Sequence, residues 1–146
     1  MNKAMAPRSD DDSPSEEVLR RVRVPFIRRV TLAWDGGRLS VFAIDLALNG
    51  AFVEWPSPPP VGTPVQITFR LPDNEIPLAA GCRVAWCHRP EPDKERRPLP
   101  AGAGLEFVSI APDDAARLHD YLVDYYRREP RARRFSPHGA PREGGS

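Results

Sequence analysis

The chain has 146 residues, of which 40% are hydrophobic and 28% are charged, with 21 basic and 20 acidic side chains. This length suits one domain with tails, since domains cluster around about 100–150 residues. The formal net charge of +1 gives no overall attraction to nucleic acid or to an anionic membrane. Any binding function must therefore come from a local arrangement of residues.

Both ends of the chain are poor in residues that could be buried. Residues 1–17 are rich in Ser, Pro and acidic side chains, and residues 130–146 are similar but basic. Such a composition favours disordered tails, so we predict one domain over residues 18–129. No stretch has the apolar run of a signal peptide or the ~20 apolar residues of a membrane-spanning helix. We therefore expect a cytoplasmic protein without membrane contact.

Runs of β-branched, aromatic and alternating residues predict six strands. They cover residues 24–34, 38–48, 51–55, 63–71, 76–88 and 101–110. Turn residues at 35–37 and at Asn49-Gly50 separate the first three strands, and we expect a positive φ at the second turn. Proline-rich stretches separate later strands, because proline donates no hydrogen bond to a sheet.

The second predicted strand shows the clearest alternation. Its apolar set shares one face and consists of Phe42, Ile44, Leu46 and Leu48. Asp45 and Asn49 fall on the opposite face, where they can meet a ligand. In the fifth strand, Cys82, Val84 and Trp86 alternate with polar or small residues.

One amphipathic helix is predicted from Pro112 to about Glu129. Proline suits the first helical position, and the acidic residues that follow complement the helix dipole. Leu118 and Leu122 belong to an apolar stripe at helical spacing. Six strands followed by one helix predict a mainly β fold, an antiparallel barrel with a C-terminal helix that covers an opening or is offered to a partner.

The sequence contains no pattern that indicates an enzyme or a metal site. It has no P-loop, nucleophile elbow or HExxH motif. His88 has only Cys87 beside it, and neighbours on a strand point to opposite faces. Cys82 and Cys87 lie five residues apart, so they also face opposite sides and we expect reduced thiols.

Two groups of polar residues could bind an anionic or nucleotide ligand. They are an arginine cluster before the first strand and the turn after the second: Arg20, Arg21 and Arg23, with Asp45, Asn49 and Gly50. Arginines clamp phosphates or pair with guanine O6 and N7, and a carboxylate accepts from guanine N–H groups. Residue types alone favour a simpler interpretation, a solvated run of charge and a carboxylate that caps a turn.

The order of these features resembles the PilZ domain. It comprises the arginine cluster, a strand, Asp45-x-x-x-Asn49-Gly50, another strand, a glycine-rich segment over residues 102–107 and a helix. The resemblance covers about residues 20–126 and implies a six-stranded barrel with a C-terminal helix. It also implies a role in bacterial signalling, for example in motility. Many PilZ domains bind cyclic di-GMP through R-x-x-x-R and [D/N]-x-S-x-x-G motifs, and the ligand draws the arginine-bearing linker onto the barrel.

The chain departs from both family motifs. If Arg23 is the second motif arginine, Leu19 stands at the first position, with Arg20 and Arg21 out of register by one and two. Ala47 replaces the motif serine. Losing one hydrogen bond to a charged group and one neutral one costs roughly 2.5–4 kcal/mol. Binding would weaken by about two to three orders of magnitude.

Three functions are compatible with these residues. The main prediction is a PilZ-like adaptor that acts through protein contacts in a cyclic di-GMP-related pathway, with nucleotide binding weakened or lost. Candidate contact surfaces are the exposed side of the helix, with Tyr121 and Tyr126, the Pro56–Pro60 loop and the arginine-rich tail. The alternative is a working cyclic di-GMP switch that uses the arginine linker and the Asp45–Gly50 turn. Nucleic-acid binding is disfavoured, because no basic stripe is interleaved with exposed aromatics.

Overall fold

The computed structural model describes residues 14–72, 74–90 and 100–129, which form a closed antiparallel barrel flanked by two helices. The elements are α1 (Glu16–Leu19), β1 (Arg23–Trp34), β2 (Gly37–Ala47), β3 (Gly50–Glu54), β4 (Pro64–Phe69), β5 (Leu78–His88), β6 (Gly102–Ile110) and α2 (Pro112–Arg128). Around the barrel the strands follow the order β1-β2-β3-β6-β5-β4. The predicted six-stranded barrel with a C-terminal helix is confirmed.

The short helix α1 fixes the segment before β1 to the rest of the domain. The Ser15 hydroxyl caps it by accepting a hydrogen bond from the Val18 N–H at 3.1 Å. Leu19 and Val22 are buried in the core. The helix includes residues 16 and 17, which the sequence placed in the N-terminal tail. Residues 1–13 and 130–146 lie outside the described residues, and the division into domain and tails stays a prediction.

A β-bulge interrupts the alternation in β2. The pairing of β2 with β3 shifts register between Ala43 and Asp45, so the residues on either side of the shift reverse their faces. Val41 and Ala43 are buried before it and Leu46 after it, whereas Phe42 is 37% exposed. The prediction of one continuous apolar face from Phe42 to Leu48 is therefore wrong, because strict alternation holds only without an inserted residue.

The helix α2 packs against the barrel along its apolar stripe. Leu118 and Leu122 are buried, and the Tyr121 ring meets the Phe26 ring edge to face at 6.2 Å between centroids. Tyr121 and Tyr126 are partly buried against the core. The prediction that they form the exposed side of the helix is wrong, because their rings extend the buried stripe. Among the described residues, no helix has the length and apolarity needed to span a membrane.

Polar contacts add to this packing at one point of α2. Arg117 donates hydrogen bonds to the carbonyls of Ile76 and Pro77 at 2.8 and 3.0 Å. It also pairs with Asp114, whose other carboxylate oxygen accepts from the Ala79 N–H at 3.3 Å. The first turns of α2 are thereby tied to the start of β5.

The two cysteines of β5 differ in exposure: Cys82 is buried and Cys87 is exposed. The register shift between Val84 and Trp86 lies between them, so their odd spacing does not by itself fix the faces they occupy. Burial raises the pKa of the Cys82 thiol to about 12.

Candidate functional site

A cleft of about 210 Å³ lies on the outer wall of the barrel where β3, β6 and β5 run side by side. We call it the Trp86 cleft. Its lining includes the N-terminal end of β1, the β2–β3 turn and side chains of β5 and β6: Arg23, Asn49, Gly50, Phe52, Trp86 and Glu106. It therefore contains three of the six residues that the sequence predicted for a ligand site.

Asp45 stands beside this cleft, held by two donors. Its Oδ1 accepts from the Arg23 guanidinium at 3.3 Å and from the Phe52 backbone N–H at 3.2 Å. Partial burial raises the pKa of the Asp45 carboxyl above its ordinary value, and the two donors offset part of this effect. The ion pair places a guanidinium and a carboxylate together at the start of β1.

Arg20 and Arg21 lie apart from this pair. They occupy the turn between α1 and β1, and neither lines the Trp86 cleft. Arg21 is 3.6 Å from Glu17 across one turn of α1, and the Arg20 side chain contacts no hydrogen-bonding or ionic partner among the described residues. The buried Leu19 and Val22 hold the turn on both sides. The structure therefore brings Arg23, Asp45, Asn49 and Gly50 together without the other two arginines.

Gly50 is required by a close approach of β6. A Cβ at this position would lie 2.2 Å from the Leu105 carbonyl oxygen. Its φ is not in the left-handed region, which among the described glycines holds only Gly37 and Gly62. The expected positive φ at Gly50 is therefore wrong. Instead, the missing side chain lets β3 pack tightly against β6 beneath the cleft.

Trp86 is a site residue that the sequence analysis missed. A register shift in the β5–β6 pairing between Val84 and Trp86 turns the indole outward, where it is 43% exposed while Val84 is fully buried. The indole stacks on the Phe52 ring at 5.2 Å between centroids and 19° between planes. A Cβ at Gly104 would lie 2.1 Å from Trp86 Nε1, so this glycine makes room for the ring. A glycine in a strand often marks such a close approach, and Gly104 was the available signal.

A carboxylate completes the cleft on β6. Glu106 pairs with Arg83 at 2.9 Å, and both side chains are largely solvent-exposed. The cleft thus combines an exposed indole, one guanidinium and carboxylates nearby. An indole can stack on a planar base, a guanidinium can bind a phosphate, and a carboxylate can accept from the N–H groups of a purine.

Metal binding has no support within residues 14–72, 74–90 and 100–129. No three side chains of the His, Cys, Asp and Glu types lie close enough together there to hold an ion. His88 lies edge-on to the Phe52 and Trp86 rings at 6.5 Å from each, and its Nε2 is buried without a hydrogen-bond partner. The imidazole thus belongs to the aromatic cluster beside the cleft.

The closed barrel, the C-terminal helix and the outer cleft define a small β-barrel domain. Residues 18–124 match the family model of the PilZ domain. The chain belongs to the PilZ domain family, which confirms the resemblance seen in the sequence. A comparison with curated protein sequences gives no match.

Two solved structures show the same fold. The Bacillus subtilis inhibitor of motility (MotI/DgrA) superposes with a TM-score of 0.62 at 16% identity over 74% of this chain and 50% of the other. The PilZ domain of YcgR from Escherichia coli, solved with c-di-GMP, gives a TM-score of 0.53 at 15% identity over 76% of this chain and 92% of the other. The present chain therefore spans only half the length of the Bacillus protein.

Proposed function

We propose that this protein is a PilZ-type adaptor in a cyclic di-GMP-related signalling pathway, with direct nucleotide binding at the Trp86 cleft that is weak or lost. The proposal rests on family membership and on one observation, that Arg23 alone of the three linker arginines lines the cleft. A phosphate in the cleft meets one guanidinium where the family motif supplies two. The signal would then pass chiefly through contacts with a protein partner.

Ala47 removes a second contact from the site. It pairs with Gly50 and with Arg23 in the sheet, beside the cleft, and it is 1% exposed. Its methyl group offers no hydrogen bond where the family motif has a hydroxyl. The loss of one charged and one neutral hydrogen bond lowers affinity by roughly 2.5–4 kcal/mol, which is about a hundredfold to a thousandfold.

A second candidate is a working cyclic di-GMP receptor, and the stacking surface of Trp86 favours it. A base that stacks on an exposed aromatic ring gains roughly 1–3 kcal/mol of binding free energy. This gain could offset much of the binding free energy lost with the missing contacts. In that case Arg20 or Arg21 reaches the ligand after the turn before β1 moves. This movement has to release Leu19 and Val22, which are 0% and 2% exposed.

Isothermal titration with cyclic di-GMP distinguishes the two candidates. For the adaptor, we expect no binding or a Kd of tens of micromolar or weaker, estimated from the lost hydrogen bonds. Arg23→Ala should abolish any residual binding, and Ala47→Ser should strengthen it by about fivefold if the hydroxyl restores one neutral hydrogen bond. Arg38→Ala is the matched control, since Arg38 is exposed at the start of β2, away from the cleft.

A submicromolar Kd in the unaltered protein would reject the adaptor with weakened binding and select the receptor. A receptor must then show strong losses in Asp45→Ala, Arg23→Ala and Trp86→Leu, with thermal unfolding showing that each variant is folded. Binding that is unchanged in all three variants would place the nucleotide elsewhere on the protein.

A further inference from the structure

A second cleft lies where β1 and β4 separate, on the opposite wall of the barrel from β6. β1 pairs with β4 only over Thr31–Ala33, although β4 pairs with β5 along its whole length. The earlier part of β1 is therefore joined to β2 on one side and, among the residues that the structure describes, has no strand partner on the other. The resulting opening has a volume of about 560 Å³.

The charge of this cleft is uncompensated. Arg28, Arg29 and Arg70 line it, and its lining contains no acidic side chain. Within the described part of the chain, none of the three guanidinium groups pairs with a carboxylate. Arg29 donates two long hydrogen bonds to Ser40, at 3.4 and 3.5 Å.

Exposed apolar side chains lie among these arginines. Ile27 is 64% exposed, and Phe42 is 37% exposed because the β2 bulge turns it outward. The Arg29 guanidinium lies 4.4 Å from the centre of the Phe42 ring. Ile76, next to the lining residue Pro77, is also 64% exposed. Arginine and aromatic residues are enriched at protein interfaces and dominate their energetics.

We propose that this surface, the arginine cleft (residues 27–29, 42 and 68–70), binds an extended, acidic segment of a partner protein that also carries apolar side chains. The three arginines supply charge complementarity for carboxylates, and Ile27 and Phe42 supply apolar contacts. A peptide in β conformation suits the side of β1 that has no strand partner, as in recognition by strand addition. A concave site between two strands accommodates a chain rather than a flat lipid surface.

The arginine cleft does not depend on nucleotide binding. Its lining shares no residue with the Trp86 cleft, although β1 contributes to both: Arg23 at its start lines the Trp86 cleft, and residues 27–29 and 31 line the arginine cleft. A partner segment and a nucleotide could therefore occupy the protein together, and each site can be tested alone.

Fluorescence anisotropy with three labelled nine-residue peptides tests the proposal on the full chain. The peptides alternate valine with glutamate, with glutamine or with lysine. We expect the glutamate peptide to bind at least about tenfold more tightly than the others and to weaken as salt is added, because exposed charges are screened. The doubly substituted Arg28→Glu, Arg70→Glu protein should lose this binding by about tenfold or more.

Arg38→Glu is the control for charge reversal on the surface, with half the change in net charge of the double variant, since Arg38 is exposed but outside the cleft. Arg70→Ala repeats the test with a smaller change, and thermal unfolding shows that each variant is folded. Equal binding of the three peptides, or an equal loss in Arg38→Glu, would overturn the proposal. The proposal would also be overturned if the protein sedimented with phosphatidylglycerol vesicles in a way that required Arg28 and Arg70 but showed no preference for the glutamate peptide. That result would assign the cleft to a membrane.

Discussion

Replacement of Gly50 by alanine tests the close packing of β3 on β6 beneath the Trp86 cleft. The added Cβ would lie 2.2 Å from the Leu105 carbonyl oxygen, whereas real Cβ contacts essentially never fall below 3.0 Å. The obstacle is backbone, so the strands must separate by roughly 0.8 Å or more. This movement strains the neighbouring hydrogen bond from the Phe107 N–H to the Asn49 carbonyl, now 2.8 Å long.

The expected loss of stability follows from these two effects. Overpacking in a well-packed region costs about 1–3 kcal/mol, and a weakened backbone hydrogen bond adds about 1 kcal/mol. We therefore expect Gly50→Ala to lower the free energy of unfolding by about 2–4 kcal/mol. Urea unfolding followed by tryptophan fluorescence measures this change.

Gly81→Ala in β5 is the matched control. A Cβ at Gly81 would lie 3.6 Å from its nearest neighbour, the Cβ of Ser109, which is ordinary contact. Alanine is also favoured over glycine inside a strand by roughly 0.5–1 kcal/mol, so this variant should be as stable as the unaltered protein or slightly more stable. If Gly50→Ala and Gly81→Ala unfold at the same urea concentration, the contact with Leu105 does not require glycine and the reasoning is refuted.

Four further predictions concern titratable groups and the attachment of α2. Burial raises the pKa of Asp45, so the folded protein binds a proton at this carboxyl more tightly than the unfolded protein does. The folded protein therefore loses stability as the pH rises through that pKa. Urea unfolding at two pH values should show that Asp45→Asn gains stability relative to the unaltered protein at pH 7 but not at pH 3. Arg117→Ala should lower the free energy of unfolding by about 1–3 kcal/mol, because its two hydrogen bonds to carbonyls and its ion pair with Asp114 are lost. The hydrogen bond from Arg117 lowers the pKa of Asp114. The stability that ionised Asp114 adds is therefore complete above the usual pKa of the carboxyl and is lost as the pH falls through the lowered pKa. Asp114→Asn should abolish this contribution to the loss of folding stability in acid. Folded protein should react rapidly with Ellman's reagent at Cys87 only, because burial raises the pKa of Cys82 to about 12, and urea should release the second thiol.

Each of these predictions can fail on its own. A greater relative stability of Asp45→Asn at pH 3 than at pH 7 would contradict the raised pKa. Unchanged unfolding of Arg117→Ala would show that the apolar stripe alone holds α2. Two fast thiols in the folded protein would mean that Cys82 is accessible to the reagent.

The sequence by itself determined the six strands, the C-terminal helix and their order, but it missed α1 (Glu16–Leu19). The predicted helix from Pro112 to about Glu129 is observed over Pro112–Arg128, and each strand begins and ends within two residues of its predicted bounds. Alternation, turn residues and helix signals are local properties that a short segment carries by itself. The motif order also grouped Arg23 and Asp45 in one predicted ligand site, and the pairing of β1 with β2 brings the two residues together.

The tertiary structure alone decided which side chains face the solvent at the two clefts. Bulges in β2 and β5 turn Phe42 and Trp86 outward, although strict alternation placed both on the faces of buried residues. The role of Gly50 depends on Leu105, which is distant in sequence and adjacent only in the closed barrel. A bulge and a close approach of two strands arise from contacts between distant segments. The hydrophobic periodicity of one segment does not predict a bulge or a close approach, because it reflects only the average environment of that segment.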